Sequence, residues 1–243
     1  MTTMTDNLDH ATAPGLCAVI LQPCFFPWRG QFDLYSRADV RIFLDDVQFS
    51  RGTWFNRNKI MTASGPAWIT VPIRKQGSLQ TLIKDMPITG GDRWQNRVLG
   101  QIHAAYRKAP FFDLYWNSLE DLIRQDWTRV AALSMASVHL CFEKLGRPLE
   151  FCVSSQLDVK SSDPLERLVL LCRKVGARAY LSGRAAEGYI GEGRPCREAG
   201  IALEWMHYPA YPQYRDDGGE EMSVLDLLFL KGPEAPSFIW KDS

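Results

Sequence analysis

The sequence predicts an α/β domain built on a parallel sheet, with an added layer of helices. Three observations carry that reading. Leu16–Leu21 and Val40–Leu44 are short apolar runs rich in β-branched and aromatic residues, separated by a loop and a short helix. That is the pattern of a β-loop-α-β unit, whose strands must run parallel. A second strand and helix alternation follows from about 151 to 207. Between the two, residues 92–146 read almost wholly as helix.

The elements follow in order. After the strand Leu16–Leu21, Pro23, Pro27 and Gly30 exclude a helix, so 22–30 is a loop. Phe32, Leu34 and Tyr35 suggest a short helix from Gln31 to about Ala38. Pro66 to Ile73 reads as a strand, Gly77 to Lys84 as a flexible connection, and Ile83 to Ile88 as a weak strand. Asp92 is placed to cap a helix to about Arg107, with Trp94, Val98, Leu99 and Ile102 on one face. Residues 112–125 and 128–145 read as two further helices, the second closing at Gly146-Arg147-Pro148. Phe151–Ser155 is a short strand, and Ser162-Asp163-Pro164 opens a helix through Lys174. Ala177–Leu181 and Ile201–His207 are the last strands, and Ser223 starts a final helix.

Composition bounds the function. The chain has 243 residues, 46% of them hydrophobic, enough for one α/β domain over 15–243 after a disordered start at 1–14. Residues 92–146 would form a helical insertion within it. With 28 basic and 28 acidic residues, no charge excess points to nucleic acid or an anionic membrane. No apolar run approaches the ~20 residues of a transmembrane helix, and the polar start lacks the apolar core of a signal peptide. Six cysteines include no C-x-x-C pair and no zinc spacing. A reduced, cytoplasmic setting and no bound metal are expected, with a small-molecule partner and a homo-oligomer left open.

The chemistry gathers in one stretch. The strand Val40–Leu44 runs into Asp45-Asp46-Val47-Gln48, then Trp54, Asn56, Arg57 and Asn58. In open α/β sheets ligands bind beyond the carboxyl ends of the strands, so these groups stand where a site belongs. Two carboxylates can divide acid and base work, or hold Mg²⁺ beside a phosphate. Arg57 suits bidentate binding of phosphate or carboxylate, or a structural pair with Asp46. The loop with Gln22 and Trp28 follows the first strand and offers rings for stacking. Its Cys24 lacks any visible activating partner and reads as inert. His103, a possible base, shares a helix face with Tyr106, near Lys108. Ser182-Gly183 after a strand can offer backbone N–H groups to an anion, and Tyr211 and Gln213 belong to an aromatic, proline-rich pocket wall.

Several of these segments resemble one family. Gln-Pro-x-x-Phe-Pro-Trp-x-Gly-x-Phe-Asp-Leu at 22–34, Asp-Asp-Val-Gln-Phe at 45–49 and Trp-x-Asn-Arg-Asn-Lys-Ile at 54–60 resemble the WbqC-like family. So do Tyr-x-Lys-Ala-Pro-Phe-Phe at 106–112, Tyr-Leu-Ser-Gly at 180–183, Tyr-Pro-Gln at 211–213 and Ser-Val-Leu-Asp-Leu-Leu-Phe at 223–229. The resemblance runs through nearly the whole chain from residue 15. Relatives often carry a histidine at the position of Val98, and His103 lies one turn further on. A fainter likeness is to Rossmann-like, nucleotidylyltransferase-like α/β proteins, with Pro27-Trp28-Arg29-Gly30 in place of a histidine-bearing loop. The resemblance implies a polysaccharide-associated acyl or aminoacyl (glycyl-like) transferase forming an amide on an amino sugar, nucleotide-linked. Asp45, Asp46 or His103 would be the base. Arg57 would hold a phosphate or carboxylate, and Gln48 and Asn58 would orient the acceptor. An ATP- and Mg²⁺-dependent amide-forming ligase and a non-catalytic sugar-nucleotide-binding protein are the alternatives. An acyl donor, or ATP with Mg²⁺, is the implied co-reactant.

Overall fold

The computed structural model describes residues 15–49, 54–74, 81–216 and 221–240. The start at 1–14 and the first half of the Gly77–Lys84 connection lie outside them. Seven strands are present among the described residues: β1 Leu16–Leu21, β2 Val40–Phe43, β3 Arg57–Thr62, β4 Gly65–Thr70, β5 Cys152–Val153, β6 Ala177–Ser182 and β7 Ala202–Trp205. Five of them form one parallel sheet in the order β5-β2-β1-β6-β7. The helices are α1 Arg29–Ser36, α2 Arg93–Tyr106, α3 Phe112–Arg124, α4 Val130–Lys144, α5 Pro164–Lys174, α6 Glu187–Ile190, α7 Arg194–Glu198 and α8 Val224–Lys231.

Both faces of the sheet are covered, so its strands are apolar on both sides rather than alternating with polar residues. Val19, Phe43 and Leu181 point into the larger core, with residues of α1, α2, α3, α4 and α8. Their sequence neighbours Ala18, Ile20, Ile42 and Tyr180 point the other way, onto α5 and single residues of α6 and α7, Ile190 and Cys196. That reversal at each residue is the period of two that a strand imposes. The architecture is the expected parallel α/β fold. β1, α1 and β2 form the expected β-loop-α-β unit, and Asp163 caps α5 by accepting from the Leu165 and Glu166 amides at 2.7 and 2.8 Å.

The structure departs from the expected elements in three places. Arg57–Thr62, not among the expected strands, is β3, paired antiparallel with β4 from Arg57↔Thr70 to Thr62↔Gly65. Its charged residues alternate with Asn58 and Ile60, which are buried, so the polar letters hid a period-two pattern. The turn closes at Gly65, whose φ of 103° excludes most side chains. The strand expected at Ile83–Ile88 is only a 3₁₀ turn, Ile83–Asp85. Helix α1 starts at Arg29, two residues before the expected Gln31, because Trp28 rather than Gly30 ends the extended loop.

Candidate functional site

The sheet switches direction at β1: β2 and β5 lie on one side, β6 and β7 on the other. A crevice opens at such a point, beyond the carboxyl ends of the strands. Here it is a cavity of about 500 Å³ between Gln22, Cys24, Trp28 and Gln31 on the β1 side and Ser182, Gly183 and Tyr208 on the β6 side. Gln22, Leu44 and Tyr189 continue it into a space of about 420 Å³ that reaches Asp46, Gln48 and Arg167. Asp46 and Arg167 in turn border a polar chamber of about 540 Å³ that holds Lys84 and Lys160. In the other direction Cys24, Trp28 and Gln31 lead to a cavity of about 560 Å³ beside Trp54, Asn58 and Glu221. The result is one groove along the top of the sheet.

The loop from Gln22 to Trp28 is held in an unusual shape. Phe26 has φ 42°, a left-handed conformation that costs a non-glycine residue energy. Asn58 offsets the cost: its Nδ2 donates to the Phe26 carbonyl at 2.7 Å and to that of Phe25 at 3.3 Å. The Ser137 hydroxyl accepts from the Phe26 amide at 3.0 Å. Gly30 then lets the Trp28 indole fold back over α1, since a Cβ there would sit 2.3 Å from the ring. The indole meets Tyr208 with ring centres 5.1 Å apart, forming an aromatic wall.

The two adjacent carboxylates have different surroundings. Asp45 is buried, and its oxygens accept from the Ser154 hydroxyl at 3.1 Å, the Ser155 amide at 3.0 Å and the Ser155 hydroxyl at 2.8 Å. It ties the end of β2 to the turn after β5. Asp46 faces the groove; its Oδ1 shares the one Ser154 hydroxyl proton with Asp45, and its Oδ2 meets Arg167. The Arg167 Nε is buried with no hydrogen-bond partner among the described residues. An unpaired buried donor of this kind costs about 1–3 kcal/mol.

The expected site residues divide in two. The groove brings together Gln22, Trp28, Asp46, Gln48, Trp54, Asn58, Ser182 and Gly183. Asp45 and Asn56 are structural ties, the latter donating to the Val71 carbonyl at 2.8 Å. Arg57 does not pair with Asp46 and does not line the groove: its guanidinium lies 4.3 Å over the Trp68 ring, on the outside of the hairpin. Tyr106 is in the core, donating to Asp226 at 2.6 Å and accepting from the Met61 amide at 3.1 Å. His103 is exposed on α2 against the rings of Phe112 and Trp116, and Lys108 is exposed just beyond that helix. Both stand on α2 at the expected spacing, but Tyr106 is buried and His103 is exposed. Tyr211 is locked by its hydrogen bond to Asp33 at 2.8 Å, and Gln213 is exposed away from the groove.

Sequence reasoning missed Arg167, Lys84, Tyr189, Tyr208 and Gln31. Arg167 and Tyr189 sit on helices that follow strands β5 and β6, where the rule about strand carboxyl ends could have found them. The Cys24 thiol accepts from Gln31 but is pushed up to about 12 by burial, the larger effect. It is not a thiolate at neutral pH. Among the described residues no group of three or more His, Cys, Asp or Glu is placed to hold a metal ion. Nor, among them, is any helix long and apolar enough to cross a membrane.

A two-faced parallel sheet with its groove at the switch point defines an α/β protein of the Rossmann-like class. More narrowly, the chain belongs to the WbqC-like protein family, whose sequence profile matches residues 22–238. It is 33% identical over 225 residues to uncharacterized protein Rv1507c of Mycobacterium tuberculosis, an alignment that covers 90% of this chain and 96% of that protein. No solved structure matches it.

Proposed function

We propose that the chain is an acyl or aminoacyl transferase that forms an amide on an amino sugar, nucleotide-linked, in polysaccharide or glycoconjugate biosynthesis. The observation that carries this reading is the groove itself, which sets the Trp28–Tyr208 wall and the Asp46 carboxylate along one path. Aromatic faces suit a base or sugar ring. Membership of a family resembling proteins of polysaccharide clusters supports the setting. In this reading Gln22 and Gln48 orient the acceptor. Its neutral amine attacks the acyl carbonyl, the donor's leaving group departs with the bonding pair, and Asp46 takes the proton lost from nitrogen.

The test is a thermal-shift screen of the full chain against UDP-, dTDP- and GDP-sugars, acyl-CoA and ATP. Ligands of the folded state raise its melting temperature by mass action. Hits are then assayed for amide formation with and without ATP and Mg²⁺. Transfer without ATP supports the reading. Transfer that needs ATP makes the protein a ligase instead. Binding of sugar nucleotides with no turnover under any combination makes it a binding protein.

A further inference from the structure

The polar chamber at the far end of the groove has a composition that amide transfer alone does not call for. It contains Lys84, Lys160 and Arg167, against the carboxylates of Asp46 and Asp158. Asp46 is taken up by Arg167. Asp158 and Lys160 are highly exposed and 3.9 Å apart, a loose pair in water. Lys84 is only partly exposed and makes no ion pair with any described residue. Among the residues that line this open concavity, cations therefore outnumber carboxylates three to two.

A second observation points the same way. Arg167 gives Asp46 only one of its terminal nitrogens; its Nε has no hydrogen-bond partner among the described residues but is itself buried, so the donors it has left for a ligand are at the other terminal nitrogen. Guanidinium presents its donors as a planar fork, and an anion with several oxygens can take donors that one carboxylate leaves over. Ser161 and Ser162 line the same chamber and the adjoining part of the groove. The space of about 540 Å³ exceeds what a single phosphate requires, and it opens toward the aromatic wall through the stretch lined by Gln22, Leu44 and Tyr189.

We infer that this chamber is a diphosphate site, with Lys84 and Arg167 as its cationic holders, and that the groove takes an organic diphosphate whose ring body lies toward Trp28 and Tyr208. The inference rests on the transferase reading only for the identity of that body. The site also replaces Arg57 as the anion holder. A sugar nucleotide, ATP and coenzyme A all carry the same diphosphate chemistry, and the experiment separates them.

Full-length protein is titrated calorimetrically with inorganic pyrophosphate, then with UDP, uridine, ATP and coenzyme A, in wild type, Lys84→Ala, Arg167→Lys and the control Lys174→Ala. Lys174 is exposed at the opposite end of α5. The expected result is pyrophosphate binding that weakens about tenfold in Lys84→Ala, as for loss of one charge-assisted hydrogen bond, and is unchanged in the control. UDP, ATP or coenzyme A should bind more tightly than pyrophosphate and compete with it, and whichever gains most identifies the body. Uridine should bind more weakly than UDP. Lys84→Ala removes no ion pair with a described residue, so a folding defect in Arg167→Lys leaves the test intact. Equal pyrophosphate affinity in wild type and Lys84→Ala, or equal affinity for uridine and UDP, overturns the inference. If diphosphates bind as expected and no transfer is found, the transferase reading falls and this one stands. If transfer proceeds and Lys84→Ala binds diphosphates normally, the reverse holds.

Discussion

Asp45 and Asp46 are neighbours in sequence with different surroundings, and the proposed function gives them different tasks. Three donors from Ser154 and Ser155 meet Asp45 in a buried turn, so Asp45→Asn should act on stability. Losing that network costs about 1–3 kcal/mol, which a urea unfolding curve will show, with the folded fraction still active. Asp46→Asn should lower the turnover of the correctly folded fraction by about 10²-fold, beyond any stability lost with its Arg167 ion pair. Activity lost equally in both variants would remove the distinction. Cys24 supplies another residue-level expectation. Burial pushes its thiol up to about 12, so little of it is thiolate at pH 8. Iodoacetamide at that pH should label Cys24 far more slowly than free cysteine, and Cys24→Ser should remain active. Rapid labelling, or an acyl adduct on Cys24 in a mass spectrum, would make it a nucleophile. Both aspartates were legible in the sequence as a pair beyond a strand. Their division of labour was not, because it depends on Ser154 and Ser155, more than a hundred residues away along the chain.

At the scale of elements, the β3–β4 hairpin serves the groove indirectly. Its inward face carries Asn58 to the Gln22–Trp28 loop, and its outward face stacks Arg57 and Lys59 on Trp54 and Trp68. Asn58→Ala should lose two carbonyl contacts in a buried place, costing about 1–3 kcal/mol, or about 2–4 °C in Tm for each kcal/mol in a chain of this size. It should also weaken the tightest ligand of the screen, because Phe26 would no longer be held in its left-handed shape. Unchanged affinity with lowered Tm would separate the hairpin from the site. Strands β1, β2 and β6 and helices α2 to α5 could be read from periodicity and caps, since apolar spacing and the Asp163-Pro164 start are local signals. Of the hairpin, β4 could be read as the strand Pro66–Ile73, but β3 could not, because Arg57, Asn58 and Lys59 mask its buried face. Helices α6 and α7 are too short to show a period.

At the scale of the whole molecule, one ionisable group sits deep in the larger core. Asp226 is fully buried, and burial raises its pKa despite Tyr106, Arg215 and Tyr214, which pull the other way. A carboxyl raised in the folded state binds its proton there while the unfolded chain has already lost it. The stability it contributes is therefore fully present below the unfolded value near 4 and is lost as pH rises through the folded one. Urea unfolding of wild type and Asp226→Asn across pH 4 to 7 should show the wild type's advantage shrinking as pH rises; a constant or growing advantage would contradict it. The sheet order carries a different consequence, one of timing. β1 is the central strand and is made first, yet its β6 partner pairs only once the chain has reached Ala177. On the ribosome, where domains assemble from the N-terminus onward, one wall of the groove stands unmatched until the last third of the chain emerges. A ligand for this groove can thus reward only the nearly finished polypeptide, and chains that stop before β6 will neither bind it nor be rescued by it.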